Sequence, residues 1–480
     1  MKKTLLFFLL ALSLSAQDIV QKVGRYQKSE SLNNAQWSVY AKYVESGEVI
    51  VDHNGSWSLT PASGLKLIST AFALDVLGSD YRFETILYAD GNRNGYQLNG
   101  DLLIFGGADP TLGSNTVKGS LPLDSLMLDW LKIIQSKGIK KINGNIIAYT
   151  GLFSGQNTPG NWYWIDIGNY YGAAASTLNI NDNLYYLYFK PGKTGGPAQV
   201  LRTEPEIPGL TFTNYMLTGK RGSGDNGYIY NTPKQYNATL RGTIPAGVNE
   251  FSIKGSIPDP PLFAAQHLKE QLQENGISVS GEAGTKDKLS GLKEERVLKT
   301  TLSPPLKDIV YQINKRSNNL YTEAVTRMAS LKISGQDKPG SHEKAVEEFL
   351  DKLKVRTDGL ALYDACGLSP ANTISAQMMT EMLAAMTRHS EFDTFYNSLA
   401  VAGDPDDPGF FSNWGSATAM ANNARVKSGL ISRVRSHSGY IKDKQGRMIA
   451  FSMIANNYSG SLRSINNMHK NLIIALAELR

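Results

Sequence analysis

The spacing of apolar residues changes character twice along the chain. Residues 37–44 and 49–53 carry the short apolar runs of two strands, joined by the turn residues Ser46 and Gly47. Leu65, Ile68, Phe72 and Val76 then recur at helical intervals, with Thr60 as a cap and Pro61 as a preset first turn, so a helix is predicted to start here. From about Tyr81 to Val297 short strand-like runs, as at 102–105, 146–149 and 185–189, are cut by Gly, Asn and Pro. Helical periodicity returns at Leu306, Ile309, Val310 and Ile313, then Leu320, Ala324, Val325 and Met328. Residues 439–442 and 448–455 read as a second hairpin, and 464–479 as an apolar helix.

The first and last hairpins are therefore expected to share one sheet, with the middle inserted into a domain built from both ends. This is an α+β chain with residues 17–83 and 297–480 forming one discontinuous domain and 84–296 a mostly-β insertion of two small domains. The length of 480 residues accommodates such a division.

At the start, Lys2 and Lys3 precede an apolar run over residues 5–14 and the small residues Ser15 and Ala16. This is the pattern of a secretory signal peptide covering residues 1–16, too short to span a bilayer. No membrane span is expected in the mature chain. Export leads to an oxidising compartment, yet Cys366 is the only cysteine, so the fold rests on core packing without an internal disulfide. Loss of Lys2 and Lys3 lowers the net charge from +6 to +4, a weak bias compatible with an anionic wall polymer and no argument for a nucleic-acid partner.

Serine and lysine three positions apart on a helix share a face, close enough for the amine to take the hydroxyl proton. Ser-x-x-Lys occurs at Ser63, Ser290 and Ser341. Ser63 and Lys66 fall at a helix start, where unpaired N–H groups and the positive dipole end favour an oxyanion. Ser290 has a turn's surroundings, and Ser341 with Lys344 reads as a helix cap and a solvated lysine. Ser317-Asn318-Asn319 lies between two helical segments, and Lys427-Ser428-Gly429 precedes a strand. Lys193-Thr194-Gly195 is a competitor for the last role, but Pro191, Gly192, Gly196 and Pro197 around it make a surface turn, and it precedes the Ser-x-Asn element.

In this order the three elements match the signature of the penicillin-binding and serine β-lactamase superfamily. More than half of the chain lies between Ser63 and Ser317. The chain thereby resembles the class C low-molecular-mass penicillin-binding proteins, the D-alanyl-D-alanine carboxypeptidases and endopeptidases. The likeness extends through Pro61-Ala62-Ser63, residues 106–110, 171–173, 303–306, 364–369 and 401–403. Ser428 stands where the family commonly has threonine, and Cys366 where it often has serine.

The resemblance implies a β-lactamase/transpeptidase-like domain, an antiparallel sheet flanked by helices. It implies Ser63 as nucleophile, Lys66 as general base, Ser317 as proton relay, Asn319 on the substrate amide, and Lys427 with Ser428 and Gly429 on the terminal carboxylate. The backbone N–H groups of Ser63 and Leu430 would form the oxyanion hole. Trp162-Tyr163-Trp164-Ile165-Asp166 and Tyr171 resemble the family segment that reaches back to the cleft, where Asp166 would take a diamino-acid ammonium and Tyr171 pack beside it. The alternative for that segment is a small satellite core with an exposed aspartate. No metal or cofactor is implied. The partners are peptidoglycan stem peptides and cross-links, with β-lactams as covalent inhibitors. A β-lactamase or esterase on the same scaffold would need an activated water that no residue visibly supplies. A non-catalytic wall-binding or β-lactam-sensing protein would have no use for the nucleophile and base together.

Overall fold

The computed structural model describes residues 15–480 apart from 154–155, 289–292 and 338–340. Most of the proposed signal segment, and Ser290, therefore lie outside the described residues.

The chain ends do share a sheet. Its six antiparallel strands run in the order Ala400–Val401, Arg425–Ile431, Val434–Lys442, Met448–Asn456, Gln36–Tyr43, Val49–His53. Both faces are covered. Along Met448–Asn456, Ala450 and Ile454 face a core built on the helices Lys66–Leu77, Asn319–Ser334 and Ala376–Met386. The alternate residues Ile449, Phe451 and Met453 face a second core, built with Ala16–Gln27 and Leu462–Ala477. A period of two on a doubly covered strand gives the unbroken apolar run seen in the sequence.

Lys66–Leu77 is the central helix. Its residues from Lys66 to Leu74 are buried on every side, which explains why the apolar positions fill more than one stripe.

Between the two chain ends lies a seven-stranded sheet that includes Glu84–Asn94, Gln97–Gly106, Ile146–Tyr149 and Val297–Leu302. Two smaller sheets follow, one of Phe251–Ser256, Leu184–Lys190 and Gln199–Glu204, the other around Asn237–Pro245. Two features differ from the sequence reading. Val297–Leu302 pairs with Glu84–Asn94 in the middle sheet, so the strand assigned at its start to the chain-end domain lies with the insertion. The insertion also holds two long helices, Leu123–Ser136 and Pro260–Glu274. Leu123, Leu126, Met127, Trp130, Leu131 and Ile134 bury one face of the first at helical spacing.

Candidate active site

Ser63 sits in a single tight turn, Ala62–Leu65, that feeds the central helix. Ala62 has φ +47°, a left-handed conformation that costs a non-glycine residue roughly 1–2 kcal/mol. Neighbours hold it there. Gly367 approaches so closely that a Cβ would overlap the Ala62 carbonyl oxygen, and a Cβ on Gly429 would overlap that of Pro61 and lie 2.7 Å from Gly64 N. Ser436 Oγ donates to Pro61 O at 2.6 Å. Thr60 does not cap the helix as expected. Its hydroxyl donates to Pro370 O at 2.9 Å, and the Asn456 amide brackets its backbone.

One turn on, Lys66 is fully buried and its Nζ donates to Ser63 Oγ at 2.9 Å, Asn319 Oδ1 at 2.7 Å and Cys366 O at 2.6 Å. Burial holds its pKa below the ordinary lysine range, opposed by the Cys366 thiol and the acids Asp364 and Glu323.

Ser317 ends the helix Leu306–Arg316 in a left-handed conformation, φ +60°, and Asn318 caps the helix Asn319–Ser334 by accepting from Tyr321 N at 3.0 Å. This sharp corner puts Ser317 and Asn319 on the cleft. Lys427, on the strand Arg425–Ile431, donates to Ser317 Oγ at 2.9 Å. It is buried, and its pKa is driven well below normal by burial first, then by Lys66 and Arg435. Five polar side chains from three distant segments thus form two hydrogen-bonded groups, Ser63–Lys66–Asn319 and Ser317–Lys427, near enough for the Lys66 charge to act on Lys427.

Ser428 is half-buried, and Leu430 exposes its side chain. Beyond Val426 the strand Arg425–Ile431 pairs only on its Val434–Lys442 side, because Ala400–Val401 reaches just Arg425 and Val426. Residues 427–431 consequently lie against the Ser63 turn with an edge free of a strand partner among the described residues, geometry suited to an extended peptide.

The inserted segment reaches the same cleft. Asn319 Nδ2 donates to Tyr171 O at 2.8 Å, so its amide ties Lys66 to the insertion. Trp162 Nε1 donates to Asp364 Oδ2 at 2.8 Å. Asp166 is half-buried beside Tyr171; burial raises the carboxyl pKa, and the tyrosine hydroxyl, itself raised by burial and Asp166, partly offsets this. Of the two alternatives for this stretch, Trp162 does join a small core with Cys366 and Leu368. Its neighbours Tyr163 and Trp164 are exposed.

Two residues without an assigned role in the sequence reading support Lys66. Glu323 accepts from the backbone N–H of Ala365 at 2.9 Å and of Cys366 at 2.8 Å. Burial and Asp364 raise its pKa to about 7. Asp364 accepts from Gly367 N, Ser369 N and Asn372 Nδ2 at 2.6–2.7 Å, folding residues 364–372 into the loop that aims Cys366 O at Lys66. Glu323 lies four positions after Asn319 on one helix, hence on the same face, a signal the sequence held. Asp364 opens the stretch 364–369 that carries the family likeness, but without a role of its own there. Cys366 is buried, and its thiol is pushed up in pKa by burial and these acids.

The competing motifs lie elsewhere. Lys193 is exposed in a turn with Gly195 at φ +84°, and Lys344 is exposed on the helix Ser341–Lys352.

The profile of the D-Ala-D-Ala carboxypeptidase 3 (S13) family matches residues 19–478. The chain is 28% identical over 455 residues to a D-alanyl-D-alanine carboxypeptidase of Actinomadura sp., covering 92% of this chain and 82% of that one. It is 24% identical over 435 residues to the D-alanyl-D-alanine carboxypeptidase DacB of Haemophilus influenzae, covering 88% and 86%. Among solved structures, penicillin binding protein 4 of Haemophilus influenzae superposes with a TM-score of 0.81 at 22% identity, over 96% of this chain and 99% of that one, a likeness of fold. The same protein has been solved in complex with a β-lactam.

Proposed function

As the chain belongs to the D-Ala-D-Ala carboxypeptidase 3 (S13) family, we propose that this serine-type D-alanyl-D-alanine carboxypeptidase works through a Ser63 acyl-enzyme and also cuts the D-alanyl cross-links of peptidoglycan. The observation that carries this reading is the paired contact at the cleft, Lys66 Nζ to Ser63 Oγ and Lys427 Nζ to Ser317 Oγ, each 2.9 Å.

Lys66, in its neutral form, takes the Ser63 proton as Oγ attacks the carbonyl before the last D-alanine. The N–H groups of Ser63 and Leu430 receive the oxyanion. Ser317 relays the proton that Lys66 took on to the departing amine, the C–N bond breaks, and the acyl group stays on Ser63 as an ester. Water then attacks the ester, and the proton it gives up restores the serine.

Two buried amines so near each other disfavour a double positive charge. An arriving carboxylate changes that balance: it favours the charged form of Lys427, with the Ser428 hydroxyl as second donor, and the field of that ammonium keeps Lys66 neutral and basic. Substrate binding thereby prepares the base. Asn319 positions Lys66 and, through its amide, the substrate backbone. Asp166 accepts the ammonium of a stem-peptide diamino acid, which in turn favours its ionised form, with Tyr171 beside it. A β-lactam presents the same carboxylate and amide, but ring opening leaves its amine tethered, so the ester persists.

No helix among the described residues is long and apolar enough to cross a membrane. We assign residues 1–16 to export and the mature enzyme to the periplasm, bound to the wall by its substrate. Residues 84–296, with the strand reaching Leu302, form the inserted part.

The test is labelling with fluorescent penicillin and digestion of cross-linked muropeptides, in wild type, Ser63→Ala and Ser290→Ala. Label and product in Ser290→Ala but in neither assay of Ser63→Ala is the expected result; the reverse overturns the assignment. N-terminal sequencing of secreted protein beginning near Gln17 checks export.

A further inference from the structure

The smallest inserted sheet has an unusual outer face. Along Leu184–Lys190, Tyr185, Leu187 and Phe189 point into the core, and the alternate residues Tyr186 and Tyr188 point outward. Lys254 pairs across from Tyr186, and Arg202 across from Tyr188. The Lys254 ammonium lies 5.2 Å from the Tyr186 ring and 5.6 Å from the Tyr170 ring, and the Arg202 guanidinium lies 4.1 Å over Tyr188. Tyr170 is 50% exposed and Tyr186 36%. Solvated positions on the strand Leu184–Lys190 have no need of two tyrosines, and with Tyr170 from the turn Tyr170–Gly172 they form a contiguous aromatic surface, the kind that marks an interaction site.

This face is continuous with the cleft. Ser256 binds the segment that carries Tyr170 to the sheet, through its N–H to Gly168 O at 3.0 Å and its Oγ to Ile167 O at 2.7 Å. The Tyr170 ring stands 5.4 Å from that of Tyr171, whose carbonyl Asn319 holds beside Lys66.

We propose that the tyrosine face formed by Tyr170, Tyr186 and Tyr188 binds the sugar backbone of peptidoglycan, a chain of uncharged N-acetylated hexosamines. This rests on the carboxypeptidase reading, because the peptide held in the cleft is covalently joined to that backbone, which must then leave along an adjoining surface. A pyranose has an apolar C–H face that packs on an aromatic ring and a rim of hydroxyl and acetamido groups. Lys254 and the Tyr170 and Tyr186 hydroxyls supply donors at that rim, the Tyr188 hydroxyl being engaged by Glu204. Cations over the rings hold them in place, so contact is made with little loss of rotamer freedom.

The experiment measures binding of chitin oligosaccharides, uncharged β-1,4-linked N-acetylglucosamine chains, to Ser63→Ala protein and to Ser63→Ala/Tyr170→Ser/Tyr186→Ser. About tenfold weaker binding in the triple variant is expected. With Ser63 intact, Tyr170→Ser/Tyr186→Ser should raise KM for cross-linked peptidoglycan about tenfold, with kcat and the penicillin acylation rate unchanged. Equal glycan binding overturns the proposal. So does a loss confined to soluble stem peptides, which would make the occupant a peptide, or slowed penicillin acylation, which would place the tyrosines in the cleft itself. Failure of penicillin to label the parent protein would instead sink the enzyme reading, while the glycan measurement still reports on this face.

Discussion

The part built from the chain ends and the inserted part bury different chemistry. Lys66, Lys315, Glu323, Asp364, Asp407 and Lys427 are all buried in the first, whereas Asp109 is the only buried acid or base among the described residues of 84–296. The insertion is conventional: Trp130, Phe263, Leu268 and Ile146 fill a core of apolar side chains, and the polar side chains it does bury, such as Asn179, Asn183 and Thr177, are uncharged. Each of these buried charges in the other part is held by partners, for example Lys315 by Asp407 and Asp364 by four N–H donors. Such groups cost free energy to bury, and replacing them with apolar residues is often neutral or stabilising. Lys66, Lys427, Glu323 and Asp364 among them stand at or support the cleft, and the difference teaches that stability and activity draw on separate residues.

The sharpest way to break this comparison is Ser63→Ala. It should lower turnover by about 10³–10⁶-fold with a thermal midpoint close to wild type, checked by penicillin labelling and calorimetry. Next, Lys66→Met keeps the volume and should cut acylation by about 10²–10⁴-fold with a stability loss of only about 1–3 kcal/mol, from the Asn319 and Cys366 acceptors it leaves unpaired; a much larger drop in the midpoint would contradict the division. Trp130→Ala tests the other side. A fully buried indole in the insertion should contribute about 3–5 kcal/mol to stability, seen in denaturant melts, with the acylation rate at 25 °C retained in the folded protein.

The smallest effect concerns pH. Ionised Glu323 favours the charged form of Lys66, and the base must be neutral. Glu323→Gln removes that negative charge, so Lys66 loses its proton at lower pH and the acidic limb of the acylation profile moves to lower pH. An unmoved limb would leave Glu323 with a purely structural role.

Much of this was legible along the chain. Period-two and period-3.6 patterns located both hairpins and the central helix, because those elements bury whole faces, and the order of three short motifs singled out Ser63, Ser317 and Lys427. The helix Leu123–Ser136 was legible too, in the spacing of Leu126, Trp130 and Ile134, but the Gly-rich and Asn-rich strands around it dominated that stretch. Thr60 misled because its hydroxyl found a tertiary acceptor, Pro370 O, in place of a helix N–H.

Local order in the sequence determined which segments become helix or strand and which residue types are available for chemistry, since both depend on near neighbours. Only the tertiary structure decided that Cys366 would serve through its backbone carbonyl, that Gly367 and Gly429 would clamp the nucleophile's turn, and that Tyr171 would meet Asn319. These are contacts between atoms far apart in the chain, several of them on the backbone, which every residue carries alike. No residue letter announces which carbonyl will face a lysine. The approach of packed elements settles it.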